Sequence, residues 1–187
     1  IEELKAEKFQ NLFEDEKDKF YIKDCALDTD LEILIPDEYV SNVEERLNLY
    51  KELNTLKTEK EIMAFEMQLK DRFGDLPQEV YQLFDALRLR WIGKEIGLSR
   101  IILKSGKMRA YFISDKTSYY FESPQFSKVL NHLKNNFETT RIIEKNKKLS
   151  LAVKGVSTLE EAIHFCKKIS LNESPQQDPI LRPKEQE

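Results

Sequence analysis

Glycine is scarce in this 187-residue chain, at 5 residues, and so are proline at 6, cysteine at 2, histidine at 2 and tryptophan at 1. So few glycines cannot line a phosphate-cradling loop, and neither a dinucleotide fingerprint nor a nucleophile elbow is found. Gly93 and Gly97 lie in a helical context, not after a strand. Cys25 and Cys166 stand far apart, with no metal-ligand spacing and no disulfide framework, so reduced thiols in a cytoplasmic setting are expected. His132 and His164 each fall on an amphipathic helical pattern with no acid or thiol placed to share a metal, and both read as ordinary surface or boundary residues. No apolar run approaches the ~20 residues a membrane-spanning helix needs. The acid pairs Asp28/Asp30 and Asp37/Glu38 flank a strand and a cap, where turn chemistry and helix-dipole complementation account for them. No catalysis, cofactor or metal is expected. The chain opens on Ile1 with no charged-then-apolar leader, which reads as a piece excised from a longer protein.

What is present is a core and a polarised charge. Eleven Phe and seven Tyr can fill a globular interior. The net charge of −4 is unevenly spread. Residues 1–19 hold seven acids and four bases and read as a charged N-terminal extension, with Leu4, Phe9, Leu12 and Phe13 as a weak helical stripe. Residues 171–187 hold three of the six prolines and read as a disordered tail. Between them lies the expected folded body, 20–170. Its first part, 20–100, carries −6, and its second, 101–170, carries +7.

The coarse pattern starts with an extended segment in 20–35, with Leu31, Ile33 and Ile35 on one face, ended by Pro36. Ser41 with Glu44 predicts a capping box for a helix striped by Val43, Leu47, Tyr50 and Leu53. Thr58 with Glu61 predicts a second, striped by Ile62, Phe65, Leu69 and Phe73 and closed by Gly74 in a left-handed position. Asp75 or Leu76 would cap a third, with Pro77 in its first turn and Val80, Leu83, Phe84, Leu87 and Trp91 buried. After Gly97 the period changes. A hairpin turning at Ser105-Gly106 precedes a helix opened by Ser123-Pro124, with Phe126, Val129, Leu130 and Leu133 inward. A second hairpin joins 141–144 to 149–153, and a box of Ser157 with Glu160 opens a last helix striped by Leu159, Ala162, Ile163, Cys166 and Ile169. The expected fold is α+β: a helical hairpin and a long helix, then two β-β-α units, on a mixed or antiparallel sheet.

Two regions carry the functional question. Asp71-Arg72-Phe73-Gly74-Asp75-Leu76-Pro77 is a corner between two helices. Phe73, Gly74 and Pro77 are explained by packing and reversal; Arg72 between two aspartates is not. If the helix ran through the corner, Gln68, Asp71, Arg72 and Asp75 would form one stripe. That stripe is either a local ion-pair cluster or a polar ridge for a partner. In the basic half, Lys104, Lys107 and Arg109 line one hairpin and Lys145, Lys147 and Lys148 the other, with Tyr111, Tyr119, Tyr120 and Phe121 nearby. Cations with aromatic platforms suit single-stranded nucleic acid, yet lysines also solvate turns and protect edge strands.

Several of these runs together carry a family resemblance. Ile35-Pro36-Asp37-Glu38-Tyr39-Val40, Arg46-Leu47-Asn48-Leu49-Tyr50-Lys51, the corner Asp71 to Pro77 and Leu87-Arg88-Leu89-Arg90 resemble the C-terminal (TRCF) domain of the bacterial transcription-repair coupling factor family, Mfd. Their spacing agrees over about 35–90, and the β-β-α half fits in order and length to about residue 170. The resemblance implies a non-catalytic, autoinhibitory regulatory domain in nucleotide excision repair. It implies docking on the UvrB-like N-terminal module of the same protein, through Gln68, Asp71, Arg72, Gly74, Asp75 and Leu76. Docking would mask the UvrA-binding surface until a motor missing from this chain engages DNA and a stalled RNA polymerase. The family often has an acid at the position of Gln68; a neutral amide there makes a contact about half as strong, and Glu66, Asp71 or Asp75 can supply the charge instead. The alternative is a nucleic-acid-binding module using residues 101–170.

Overall fold

The computed structural model describes residues 22–115 and 117–171. The extension, its Leu4/Phe9/Leu12/Phe13 stripe and the tail beyond Leu171 lie outside the described residues. The α+β expectation holds, with five strands in a mixed sheet and five helices among the described residues. The elements are β1 (Ala26–Thr29), α1 (Val43–Leu53), α2 (Glu59–Phe73), α3 (Gln78–Glu95), β2 (Leu98–Lys104), β3 (Lys107–Phe112), a 3-10 turn (Tyr119–Glu122), α4 (Pro124–Asn135), β4 (Thr140–Lys145), β5 (Lys148–Lys154) and α5 (Leu159–Leu171). The strand order is β1-β2-β3-β5-β4, with β1 parallel to β2 and the other neighbours antiparallel.

The first strand is shorter and earlier than its apolar pattern suggests. Thr29 Oγ1 accepts a hydrogen bond from the Leu31 N–H at 3.0 Å, a side-chain turn that ends β1. Leu31 and Ile33 still pack toward the sheet, but Ile35 joins the helices instead. Caps are displaced by one residue in two places. Asn42, not Ser41, accepts from Glu45 N–H at 2.9 Å, and Thr158, not Ser157, accepts from Glu161 N–H, whose carboxylate reaches back to Thr158 and Ser157. The Thr58–Glu61 box forms as expected. The third helix is preceded by Pro77 with no side-chain cap, so neither Asp75 nor Leu76 serves there.

Helix phase follows the caps. On α1 the buried residues are Leu49 and Leu53, while Val43 and Leu47 are 61% and 55% exposed. Leu130 of α4 is likewise exposed, and His132 is buried at 4% exposure beside Phe165, with ring centroids 5.0 Å apart. The stripes of α2 and α5 are buried as expected, Phe73 only in part. Gly74 has φ 86 and ψ −162, so it closes α2 in a nearly glycine-only region, not the left-handed helical one.

Two apolar clusters share α3. Val80, Phe84 and Leu87 face α1 and α2, with Ile62, Phe65 and Leu69 opposite. Leu89 and Ile96 face the sheet, with Ile101, Leu103, Met108 and Leu151. Burial on two sides explains why α3 is apolar over more than one stripe. After it, Gly97 (φ 86) leaves no room for a side chain: a Cβ there would lie 2.0 Å from the Tyr120 ring. Tyr120 is fully buried and donates its hydroxyl to the Ile96 carbonyl at 2.7 Å. It and Phe121 therefore belong to the core cluster with Phe112 and Phe126, not to a solvent-facing platform.

Helices α3, α4 and α5 lie on one side of the sheet, over the inward residues Ile101, Leu103, Met108, Ala110 and Leu151. Strand alternation sends Arg100, Ile102 and Lys104 of β2, and Lys107, Arg109 and Tyr111 of β3, to the other side. Both hairpins turn through residue pairs with positive φ, Ser105-Gly106 and Asn146-Lys147, matching the type I′ pattern.

Candidate functional site

The motif residues of the front half converge on the α2–α3 corner. Pro36 starts a turn in which its carbonyl accepts from Tyr39 N–H and Val40 N–H, both at 3.1 Å. That turn aims Tyr39 at the corner. Its hydroxyl lies 3.1 Å from the Gly74 carbonyl and 3.2 Å from the Leu69 carbonyl, and its ring meets Phe73 edge-on at 5.8 Å. Arg46 on α1 clasps the same turn, donating to the Val40 carbonyl at 2.6 Å and pairing with Asp37 at 2.9 Å. Tyr50, one turn on, accepts from the Ile35 N–H at 2.7 Å. Two short runs that look unconnected in sequence thus form one brace behind the corner.

The Leu87-Arg88-Leu89-Arg90 run is also structural. Arg88 pairs with Glu59 on α2 and with Asp85, at 2.9 Å for the latter. These contacts hold the Glu59 carboxyl below its ordinary range and the Arg88 guanidinium above its own. Arg90 points the other way, to Asp24 at 2.6 Å and the Cys25 carbonyl at 3.1 Å, tying β1 to α3. Cys25 and Cys166 are free and buried, and burial pushes each thiol up to about 12, so neither is a nucleophile at neutral pH.

At the corner itself the proposed stripe does not form, because α2 ends at Phe73 and the chain reverses at Gly74. Asp75 folds back onto Lys70 at 3.0 Å, and its side chain is 88% exposed. Arg72 leaves both aspartates and pairs across to Glu45 on α1 at 2.6 Å, its guanidinium carbon 4.8 Å from the Phe73 ring centroid. Gln68 offers its amide to the Glu52 carboxylate at 3.4 Å. Leu76 is partly buried against the helical cluster, and Gly74 is exposed. Asp71 is exposed and forms no ion pair among the described residues. The local Asp71–Arg72–Asp75 cluster is therefore absent. In its place are two contacts between α1 and α2, Glu52–Gln68 and Glu45–Arg72, with Asp71 exposed beside them and the Lys70–Asp75 pair on another face of α2. Glu45 and Glu52 were missed from sequence, although their seven-residue spacing puts both on one face of α1. Glu66, one of the carboxylates considered as a substitute at the Gln68 position, accepts instead from Tyr81 on α3 at 3.2 Å.

Among the described residues, no group of three or more His, Cys, Asp or Glu is arranged to hold a metal, and no helix is long and apolar enough to cross a membrane. A family model described as the TRCF domain matches residues 29–123, just over half of the chain, from the end of β1 to the Ser123 cap. The chain belongs to the TRCF domain family. Among curated proteins, this TRCF domain is similar to the transcription-repair-coupling factor of Escherichia coli (strain K12), 37% identical over 68 residues, which are 36% of this chain and 6% of that protein. It is 25% identical over 152 residues to the transcription-repair-coupling factor of Staphylococcus aureus (strain USA300), covering 77% of this chain and 13% of that protein. The chain thus spans a small fraction of the length of the curated relatives it matches. Its fold is that of a solved structure described as the C-terminal domain of transcription-repair coupling factor, with TM-score 0.62, 18% identity, and 79% and 92% of the two chains covered. The family-model match ends at Ser123, inside the first of the two β-β-α units, so α4, β4, β5 and α5 lie beyond it.

Proposed function

We propose that this TRCF domain is a non-catalytic, autoinhibitory clamp of a cytoplasmic transcription-repair coupling factor acting in nucleotide excision repair. It docks through the α2–α3 corner on the UvrB-like N-terminal module of the same protein and masks the surface that recruits UvrA. Engagement of the motor with DNA and stalled RNA polymerase then favours the undocked state. Such a switch needs a docked state preferred by a few kcal/mol and reversible by ligands with differential affinity. A polar surface suits a contact that must separate.

The observation that carries the reading is the division of labour at the corner. Tyr39, Arg46 and Tyr50 hold its backbone from behind, while Asp71 is exposed and forms no ion pair among the described residues. Gln68 is neutral, but its amide meets Glu52, so a carboxylate stands at that position from the neighbouring helix. Asp71, Glu52 and the Arg72–Glu45 pair make the docking surface, with Gly74 and Leu76 setting its shape and Asp75 shared with Lys70.

The test uses the full-length coupling factor that carries this chain. Asp71→Arg with Asp75→Arg is expected to raise capture of purified UvrA several-fold with the thermal midpoint unchanged. Unchanged capture by a folded double variant would contradict the docking assignment.

A further inference from the structure

The uncovered face of the sheet has a different character from the corner. Besides Arg100, Lys104, Lys107 and Arg109, it receives Lys148 and Lys154 from β5 and Arg141 and Lys145 from β4, through the registers Lys107↔Lys154, Arg141↔Ala152 and Lys145↔Lys148. The strand carboxylate on that face is Asp28 of β1, already paired with Arg100. Asp30, just past β1, is engaged by the Ser105 N–H at 2.9 Å. The other cations of the face form no ion pair among the described residues. Edge protection can account for Arg141 and Lys145 on β4 but not for Lys104, Lys107, Arg109, Lys148 and Lys154, because β2, β3 and β5 are interior strands of the described sheet.

The face is also grooved. One depression of about 350 Å³ is lined by Arg100, Arg109, Tyr111, Lys145 and Lys148. Another, of about 470 Å³, is lined by Lys104, Lys107, Arg109, Tyr111 and Lys154. They share Ile102, Arg109 and Tyr111, so they join into one trough along β3, about 17 Å long at ~3.3 Å per residue. Tyr111, half-buried, lies where the two depressions meet, with Lys104, Lys107 and Lys154 lining one and Lys145 and Lys148 the other.

We propose that this trough binds single-stranded nucleic acid, with Arg109, Lys104, Lys107 and Lys148 on phosphates and Tyr111 under a base. A row of unpaired cations flanking an aromatic ring is the arrangement that single strands use without sequence preference. Duplex recognition by a helix or ribbon entering a groove is not offered by the interior of a sheet face. An acidic protein strand would add to an edge, and the trough runs over β3, whose backbone is paired on both sides.

The experiment is a fluorescence-anisotropy titration of a labelled 12-nucleotide oligo-dT with the 187-residue chain at 50 and 200 mM salt. About four phosphate contacts, at a slope of about −0.7 each, give about 50-fold weaker binding at the higher salt. Arg109→Glu with Lys148→Glu should weaken binding at least tenfold, and Tyr111→Ala about fivefold or more, each with unchanged circular dichroism. No binding at 50 mM salt, or equal binding by the folded double charge variant, would overturn the proposal. So would binding that appears only after residues 1–21 are removed, which would give the face to that acid-rich segment of the same chain.

Discussion

The two halves of this domain meet on α3 and use polar side chains in opposite ways. In the helical half, Tyr39, Arg46, Tyr50, Arg88 and Arg90 each bond another element, and the distinctive motif residues mostly build the corner. In the sheet half, Lys104, Lys107, Arg109, Lys148 and Lys154 form no ion pair among the described residues and project from interior strands of the described sheet. The lesson is that a residue's place in a recognisable motif does not make it a contact residue. Around the corner, Asp71 and Arg72 of the motif are joined by two residues outside the recognisable runs, Glu45, which pairs with Arg72, and Glu52, which meets Gln68.

The largest break in this comparison is expected at the hinge of the two halves. Gly97→Ala adds a Cβ into the Tyr120 ring at a φ of 86, combining backbone strain with overpacking for a loss of about 2–5 kcal/mol. Urea denaturation should show it. A small effect would mean that Tyr120 does not pin the sheet to the end of α3. Next in size is Tyr39→Phe, which keeps the edge contact with Phe73 but removes the hydroxyl from the Gly74 and Leu69 carbonyls. A loss of about 0.5–1.5 kcal/mol is expected, together with faster amide exchange near Gly74; no change would detach the brace from the corner.

The smallest expected effect separates the halves by pH. Burial, with Lys168 nearby, holds the His132 imidazole below its ordinary value of 6.5. The unfolded chain therefore takes up a proton first, so this contribution is complete above about pH 6.5 and is lost as pH falls through the lower folded value. His132→Phe should flatten the stability profile just below pH 6.5. A profile unchanged by the substitution would show that the slope belongs elsewhere.

Much of the fold was legible because local chemistry and burial agreed. The Thr58–Glu61 box, the Ser123-Pro124 start, the Ser105-Gly106 turn and the α5 stripe all formed where the sequence pattern put them. The misses arose where two local solutions were nearly equal. Ser41/Glu44 and Asn42/Glu45 both fit a box, as do Ser157/Glu160 and Thr158/Glu161, and only packing of Leu49 and Leu53 under α2 selects between the first two. Burial of His132 and withdrawal of Tyr120 into the core depend on which helix lies across the sheet, and that is a non-local fact. The corner's membership was legible, but its wiring was not. Arg72 finds Glu45 on another helix, and a stripe drawn through Gly74 fails once glycine reverses the chain.

The central claim is that the corner, not the basic sheet face, meets the N-terminal module. Isothermal titration of the 187-residue chain against the isolated UvrB-like module tests it in one measurement. The account predicts one-to-one binding, weakened at least tenfold by Asp71→Arg and unchanged by Arg109→Glu. Binding that ignores Asp71→Arg but falls with Arg109→Glu would contradict it.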